Sequence, residues 1–181
     1  FNDVVLAGRG GSIHRASSGS GSWTSTITSL GTPTQNYEHR LFNFDGTDKI
    51  VITTGTSNPQ ILNTSFSTSV VNATGTSNFK FVEIFKNHIF FAGHSSNIQE
   101  VSFMGPNQTN DFTSNNGGGT IKVDAEIVGL RAFRDSLIIF GKDKIFKLTG
   151  TSVSNFAITP ITRNIGCTDG RSIQELGGDV I

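Results

Sequence analysis

The sequence is poor in cysteine and in net charge, and each shortage excludes a class of protein. Among 181 residues there is one cysteine, Cys167, so no internal disulfide and no multi-cysteine metal site can form. Lys plus Arg and Asp plus Glu each number 14, which gives zero formal net charge. A neutral chain has no electrostatic basis for wrapping nucleic acid or docking on an anionic membrane. We therefore expect neither a sequence-specific nucleic-acid partner nor a membrane.

Long apolar runs and targeting segments are also missing. No run approaches 18 consecutive apolar residues, the length of a membrane-spanning helix. The N-terminus has no charged segment followed by an apolar run, so no signal peptide is expected. The chain opens at Phe1 without a methionine and stops inside an apolar stretch, Asp179-Val180-Ile181. We interpret the sequence as a piece of a longer polypeptide.

Phenylalanine and glycine are abundant, and their pattern favours β-structure. Fifteen Phe stand against one Trp and one Tyr, and there are 21 glycines. Aromatic side chains suit half-buried pleated surfaces, and glycines suit turns. Sustained helical periodicity is lacking. Val123–Phe133 could be read as a helix from Asp124-Ala125-Glu126, but Gly129 and the repeat described next favour a strand.

One unit recurs along the chain. Each copy has an aromatic residue or Leu, a tight polar turn, a continuous apolar run, a Gly, and then further apolar residues. The leading residues are Phe1, Phe44, Phe85, Phe133 and Leu176, at spacings of 43, 41, 48 and 43. A period of about 40 to 50 residues is typical of one four-stranded propeller blade.

The chemistry inside each unit predicts four antiparallel strands. Turn-forming pairs occur where a hairpin must reverse, and they are Asn2-Asp3, Asp45-Gly46, Lys86-Asn87, Arg134-Asp135 and Gly177-Gly178. The continuous apolar run after each turn is typical of a strand buried on both faces. A more polar outer strand closes each unit, and the candidates are Ser22–Ser29, Phe66–Ala73, Thr120–Ile127 and Asn155–Ile161.

These patterns predict an all-β fold of antiparallel four-stranded blades, within a partial or complete β-propeller that includes residues 1–181. The alternatives are a β-sandwich or a β-solenoid, which also give short strands at regular spacing. Nine residues are expected to anchor the core: Phe1, Phe44, Phe85, Phe90, Phe91, Phe133, Ile138, Ile139 and Phe140.

The last third of the chain carries a resemblance to a known family. The residues are 127–150, with Ile165-Gly166-Cys167, Ser172-Ile173 and Gly177-Gly178-Asp179-Val180-Ile181 after them. This stretch resembles the propeller part of bacteriophage tail and neck proteins, including the nozzle or tail tubular proteins of short-tailed phages. The rest of the chain shares only the hairpin repeat. The resemblance implies a rigid, non-catalytic scaffold in the virion, in contact with other virion subunits as a symmetric homo-oligomer.

A weaker resemblance lies at Ala16–Trp23, which is similar to the Asp-box turn of sialidase-type propellers. Ser18 stands where that turn has its Asp. The Asp-box is a folding element, so it implies no enzyme.

No pattern predicts a catalytic, cofactor or metal site. The histidines His14, His39, His88 and His94 form no zinc motif, although His88 and His94 flank one strand. Asp45-Gly46-Thr47-Asp48 could offer carboxylates to Ca²⁺, but a hairpin turn is the favoured interpretation. Gly8-Arg9-Gly10-Gly11 is not followed by a helix start, so phosphate binding is not expected.

We therefore expect a structural component of a phage particle, in the tail, the neck or nozzle, or at the baseplate. Two alternatives stay open. A carbohydrate- or receptor-binding propeller of a host-recognition fibre would use Trp23 and Tyr37 to stack on sugars. A propeller hydrolase would need a pair of carboxylates in one cleft, which the sequence does not place.

Overall fold

A computed structural model describes residues 4–17, 21–28, 30–31, 37–71, 78–176 and 178–180. In this part the chain forms five antiparallel sheets in succession along the sequence. The first sheet comprises β1 (Val4–Arg9), β2 (Ser12–Ser17) and β3 (Thr24–Ile27). The second comprises β4 (Glu38–Phe42), β5 (Lys49–Thr53), β6 (Gln60–Asn63) and β7 (Thr68–Val70). The third comprises β8 (Phe81–Phe85), β9 (His88–Ala92), β10 (Glu100–Phe103) and β11 (Gly119–Lys122).

The fourth sheet comprises β12 (Ile127–Phe133), β13 (Ser136–Gly141), β14 (Ile145–Thr149) and β15 (Ala157–Thr162), and the fifth has β16 (Glu175–Leu176) and β17 (Asp179–Val180). Every sheet is a meander in which each strand pairs with the next along the chain. Two short 3₁₀ turns, Ser114–Asn116 and Gly170–Ser172, are the helical segments of the described residues, and neither could cross a bilayer. The prediction of four-stranded antiparallel blades is confirmed, and the helical alternative for Val123–Phe133 is wrong.

Strand pairing corrects one position of the sequence repeat. The last residue of each first strand pairs with the first residue of the second strand, in Phe42–Lys49, Phe85–His88, Phe133–Ser136 and Leu176–Asp179. Phe42 is therefore the counterpart of Phe85, whereas the sequence pattern pointed to Phe44. The pattern failed because the β4–β5 loop is longer than the two-residue turn after Phe85. Phe44 lies in that loop with its ring centroid 4.8 Å from that of Phe42.

The second strands are buried on both faces, as their continuous apolar runs predict. In β9, Phe90 belongs to the core cluster shared with the fourth sheet, and Phe91 to the cluster shared with the second sheet. In β13, Ile139 faces the third sheet, while Ile138 and Phe140 pack with Ile173 on the opposite face. Because successive side chains of a strand point to opposite faces, one apolar run serves two sheet–sheet interfaces.

The predicted core anchors differ in how deeply they are buried. Phe85, Phe90, Phe91, Ile138, Ile139 and Phe140 are buried as expected. Phe44 and Phe133 are half-buried, and the Phe133 ring lies under the Arg134 guanidinium at 4.9 Å. Phe1 lies outside the described residues. The corrected anchor of the second sheet is Phe42, which is buried.

Burial falls from the second strand to the fourth within each of the three four-stranded sheets. All five residues of β9 are buried, whereas all three residues of β7 are exposed. The first strands of neighbouring sheets contact each other, β4 with β8 and β8 with β12. The sheets thus converge at their first strands and spread apart at their fourth strands, which is the arrangement of propeller blades.

Candidate functional site

A row of charged residues lies where the inner strands converge. Arg40, Glu83 and Arg131 each stand two residues before the Phe that ends the first strand, so they occupy equivalent positions in three successive sheets. Arg40 Nε donates to Glu83 Oε1 at 2.9 Å, and Arg40 Nη1 lies 3.5 Å from Glu38 Oε2. The repeat thus places charges of alternating sign side by side at the centre of the fold.

The charged row is largely shielded from water, so a charge there is costly unless it is paired. The Glu83 side chain is 6% exposed, and its Oε1 also accepts the Ile84 amide at 3.0 Å. Glu83 Oε2 and Arg131 Nε are buried without a hydrogen-bond partner. A cavity of about 60 Å³, lined by residues that include Arg40 and Arg131, is wide enough to admit water to this region.

The Arg40–Glu83 pair links the second sheet to the third, so the charged row can hold neighbouring sheets in register. The row is not evident from local sequence patterns because its members lie within strands, away from the acidic turns and from any histidine or cysteine motif. The signal was nevertheless in the repeat, since Arg, Glu and Arg recur two residues before the strand-ending Phe. Only the corrected position of Phe42 brings Arg40 into line with the other two.

His88 is fully buried and has a structural role. Its Nδ1 lies 2.7 Å from the Lys86 carbonyl oxygen, so the neutral ring donates from Nδ1. The ring sits among aromatic side chains, with centroid distances of 5.3 Å to Phe156 and 6.2 Å to Phe103. Burial lowers the pKa of His88, against the smaller opposing effect of the Lys86 carbonyl.

This burial predicts a loss of stability in mild acid. The unfolded chain takes up a proton on His88 as the pH falls below 6.5, whereas the folded protein resists protonation. The free energy of unfolding should therefore fall below that pH, by at most about 1.4 kcal/mol per pH unit until the folded pKa is reached. Urea denaturation from pH 8 to pH 5 measures this. His88→Phe should reduce the slope, and His39→Phe, at an exposed position, should retain it. Equal slopes in all three proteins would contradict the assignment.

The other histidines do not join His88. His94 accepts the Ser96 amide at Nδ1 (3.2 Å), and its ring lies edge-on to Phe79. His14 is half-buried and His39 is exposed. Within the described ranges no group of three or more His, Cys, Asp and Glu side chains could hold a metal ion.

The acidic turn at Asp45–Asp48 is closed by its own hydrogen bonds. Asp45 accepts from Lys49 Nζ at 2.5 Å and from the Thr47 amide at 3.2 Å, and Asp48 accepts from Asn43 Nδ2 at 2.9 Å. The bond from Lys49, followed by that from Thr47, lowers the pKa of Asp45. These carboxylates stabilise the β4–β5 loop, in agreement with the hairpin interpretation.

The two residues considered for sugar stacking differ in exposure. Tyr37 packs against Gly8 so closely that a Cβ on that glycine would lie 2.7 Å from the ring, and its hydroxyl accepts the Gly11 amide at 2.9 Å. It therefore joins the first sheet to the second. Trp23, just before β3, is 52% exposed. Ser18, which stands at the Asp of the sialidase-type turn, lies outside the described residues.

Comparison with known proteins supports the fold and leaves the family open. No family model matches the sequence, and no curated protein matches it significantly. The solved structures that match include a chain of a nidogen–laminin complex (16% identity, TM-score 0.57), BBS1N in complex with ARL6DN (12%, 0.53), and Hsv2 of Kluyveromyces lactis (13%, 0.50). The matches cover 87%, 85% and 91% of this chain.

The chain spans 60%, 48% and 52% of those three proteins, which are β-propellers. At such identities the likeness defines the fold alone. The chain is thus an all-β protein of repeated propeller-type blades, and none of its structural neighbours is a phage tail protein.

Proposed function

We propose that this chain is a non-catalytic structural component of a bacteriophage particle, in the tail, the neck or nozzle, or at the baseplate. The resemblance of residues 127–181 to phage tail and neck propellers supports the phage assignment. The observation that carries the structural role is the burial of β5, β9 and β13 between sheets, because strands packed on both faces make a stiff body.

The turns between first and second strands offer one rim for contact with other virion subunits. Lys86 Nζ lies 3.0 Å from Asp135 Oδ1, so the turns of the third and fourth sheets are joined. Arg134 Nη2 donates to the Gly178 carbonyl at 2.8 Å, which joins the fourth sheet to the fifth. These contacts bring the turns of the third, fourth and fifth sheets together along one rim, the surface at which copies of the chain would meet in a symmetric homo-oligomer.

Quantitative mass spectrometry of purified particles tests the proposal. The polypeptide should be present in a copy number that is a multiple of the tail symmetry, and a non-structural protein of the same lysate should be removed by purification. Particles that lack the polypeptide would refute the virion role.

Exposed Trp23 favours a second candidate, a carbohydrate- or receptor-binding propeller of a host-recognition fibre, because an accessible indole can stack on a sugar ring. A glycan array probed with the protein and with Trp23→Ala tests this. Binding lost in the variant supports the candidate, and an array without binding counts against it.

A further inference from the structure

A second cavity lies away from the charged row. It lies between the outer parts of the third and fourth sheets and has a volume of about 410 Å³. Ligand sites in proteins commonly span about 300 to 1,000 Å³. Its apolar wall is formed by Val123, Phe146, Ile158 and Pro160, and its polar wall by Lys122, Asp124, Lys144 and Arg163.

Two of the three cations on the polar wall are already neutralised. Lys122 Nζ lies 2.9 Å from Glu100 Oε1. Lys144 Nζ donates to the Asp124 carboxylate at 2.7 Å and to the Asp124 carbonyl at 3.0 Å. In the described part of the chain Arg163 makes no hydrogen bond or ion pair, and it acts on Asp124 only through its charge. The cavity therefore holds one uncompensated positive charge beside a fixed carboxylate–ammonium pair.

A β-bulge lies beside the cavity. Strand pairing between β14 and β15 shifts by one residue, because Ile145 pairs with Thr162 and Phe146 with Pro160. Ile161 is the extra residue of this bulge and is 53% exposed. A bulge bends the edge strand and redirects neighbouring side chains, a device often found beside binding sites. Pro160 has no amide hydrogen and lies on the edge strand of its sheet, the position at which proline is tolerated.

We propose that this cavity binds an acidic sugar, a ring that carries one carboxylate together with free hydroxyl groups. Arg163 offers a planar fork of donors for the carboxylate. Asp124 has an oxygen beyond the one bonded to Lys144 and can accept a sugar hydroxyl. Ile158 and Pro160 lie two residues apart on β15, so they share one face of the strand and offer apolar contact to a sugar ring. A neutral sugar has no carboxylate to bind Arg163. A small carboxylate such as acetate has no ring to pack on Ile158 and Pro160.

The test uses D-glucuronate, D-glucose and acetate as probes of the isotope-labelled 181-residue chain by nuclear magnetic resonance. Glucuronate should shift amide signals in residues 122–124, 144–146 and 158–163, and it should bind at least about tenfold more tightly than glucose or acetate. Arg163→Gln should weaken glucuronate binding by about tenfold or more, the effect of losing one charge-assisted contact. Arg9→Gln, an exposed arginine of the first sheet, is the matched control and should leave binding unchanged.

Each other outcome overturns the proposal. Acetate that binds as tightly as glucuronate would show that the ring makes no contact. Glucose that binds as tightly would show that Arg163 does not select a carboxylate. Glucuronate binding that survives Arg163→Gln, or shifts located elsewhere, would place the site outside this cavity. Circular dichroism of both variants separates a lost site from a lost fold. None of these results depends on whether the chain is part of a virion.

Discussion

Replacing Phe90 with alanine should lower the free energy of unfolding by about 3–5 kcal/mol, the cost of removing a buried aromatic ring. Phe90 is fully buried. Its ring stacks on Phe103 at 5.3 Å between centroids and meets the edge of Phe156 at 5.7 Å. Phe103 shares its sheet, whereas Phe156 directly precedes β15 of the fourth sheet, so the substitution opens a cavity between the third and fourth sheets. Urea denaturation at neutral pH measures the change.

The matched control for Phe90→Ala is an apolar truncation at an exposed site. Ile161→Ala, at a side chain that is 53% exposed, should change stability by less than about 0.5 kcal/mol. A loss below about 1 kcal/mol for Phe90→Ala would mean that the two sheets do not pack through this ring.

Replacing Arg40 with methionine should lower the free energy of unfolding by about 3 kcal/mol, because it leaves the Glu83 carboxylate buried and unpaired. The value lies at the low end for buried ion pairs, since the Arg40 side chain is 22% exposed. The double variant Arg40→Met with Glu83→Met should recover to within about 1 kcal/mol of the original protein, because both charges are then gone.

A surface ion pair serves as the control for the charged row. Lys86→Met breaks the contact with Asp135, whose side chain is 95% exposed, and should cost at most about 0.5 kcal/mol. If Arg40→Met and Lys86→Met cost the same, or if the double variant is as unstable as Arg40→Met, Glu83 is not held by Arg40.

Local chemistry accounts for most of what sequence analysis predicted correctly. The run Leu137-Ile138-Ile139-Phe140 is apolar without a break, and this composition is typical of a strand with two buried faces. Lys86-Asn87 forms the predicted turn with φ of 46° and 59° at its two residues, the left-handed geometry that a two-residue hairpin requires. Such signals lie within a few residues of one another, so they can be read along the chain.

The repeat was misplaced at Phe44 because loop length is not a local signal. Asp45-Gly46 looks like a two-residue turn, yet the β4–β5 loop also includes Asn43 and Asp48, which bond to each other. Strand pairing places Phe42 opposite Lys49, so Phe42 and not Phe44 is the residue that ends the first strand. The error concealed the equivalence of Arg40, Glu83 and Arg131.

By itself, then, the sequence determined the apolar strands, most of the turns and the period of the blades, because apolar runs and turn preference act between near neighbours. Tertiary structure alone decided which distant side chains meet: Arg40 with Glu83, His88 with Phe156, and Arg163 with the cavity beside Lys144. These residues lie on different sheets or on strands that pairing brings together. Their proximity depends on how the sheets pack and on a one-residue bulge, which no short stretch of sequence encodes.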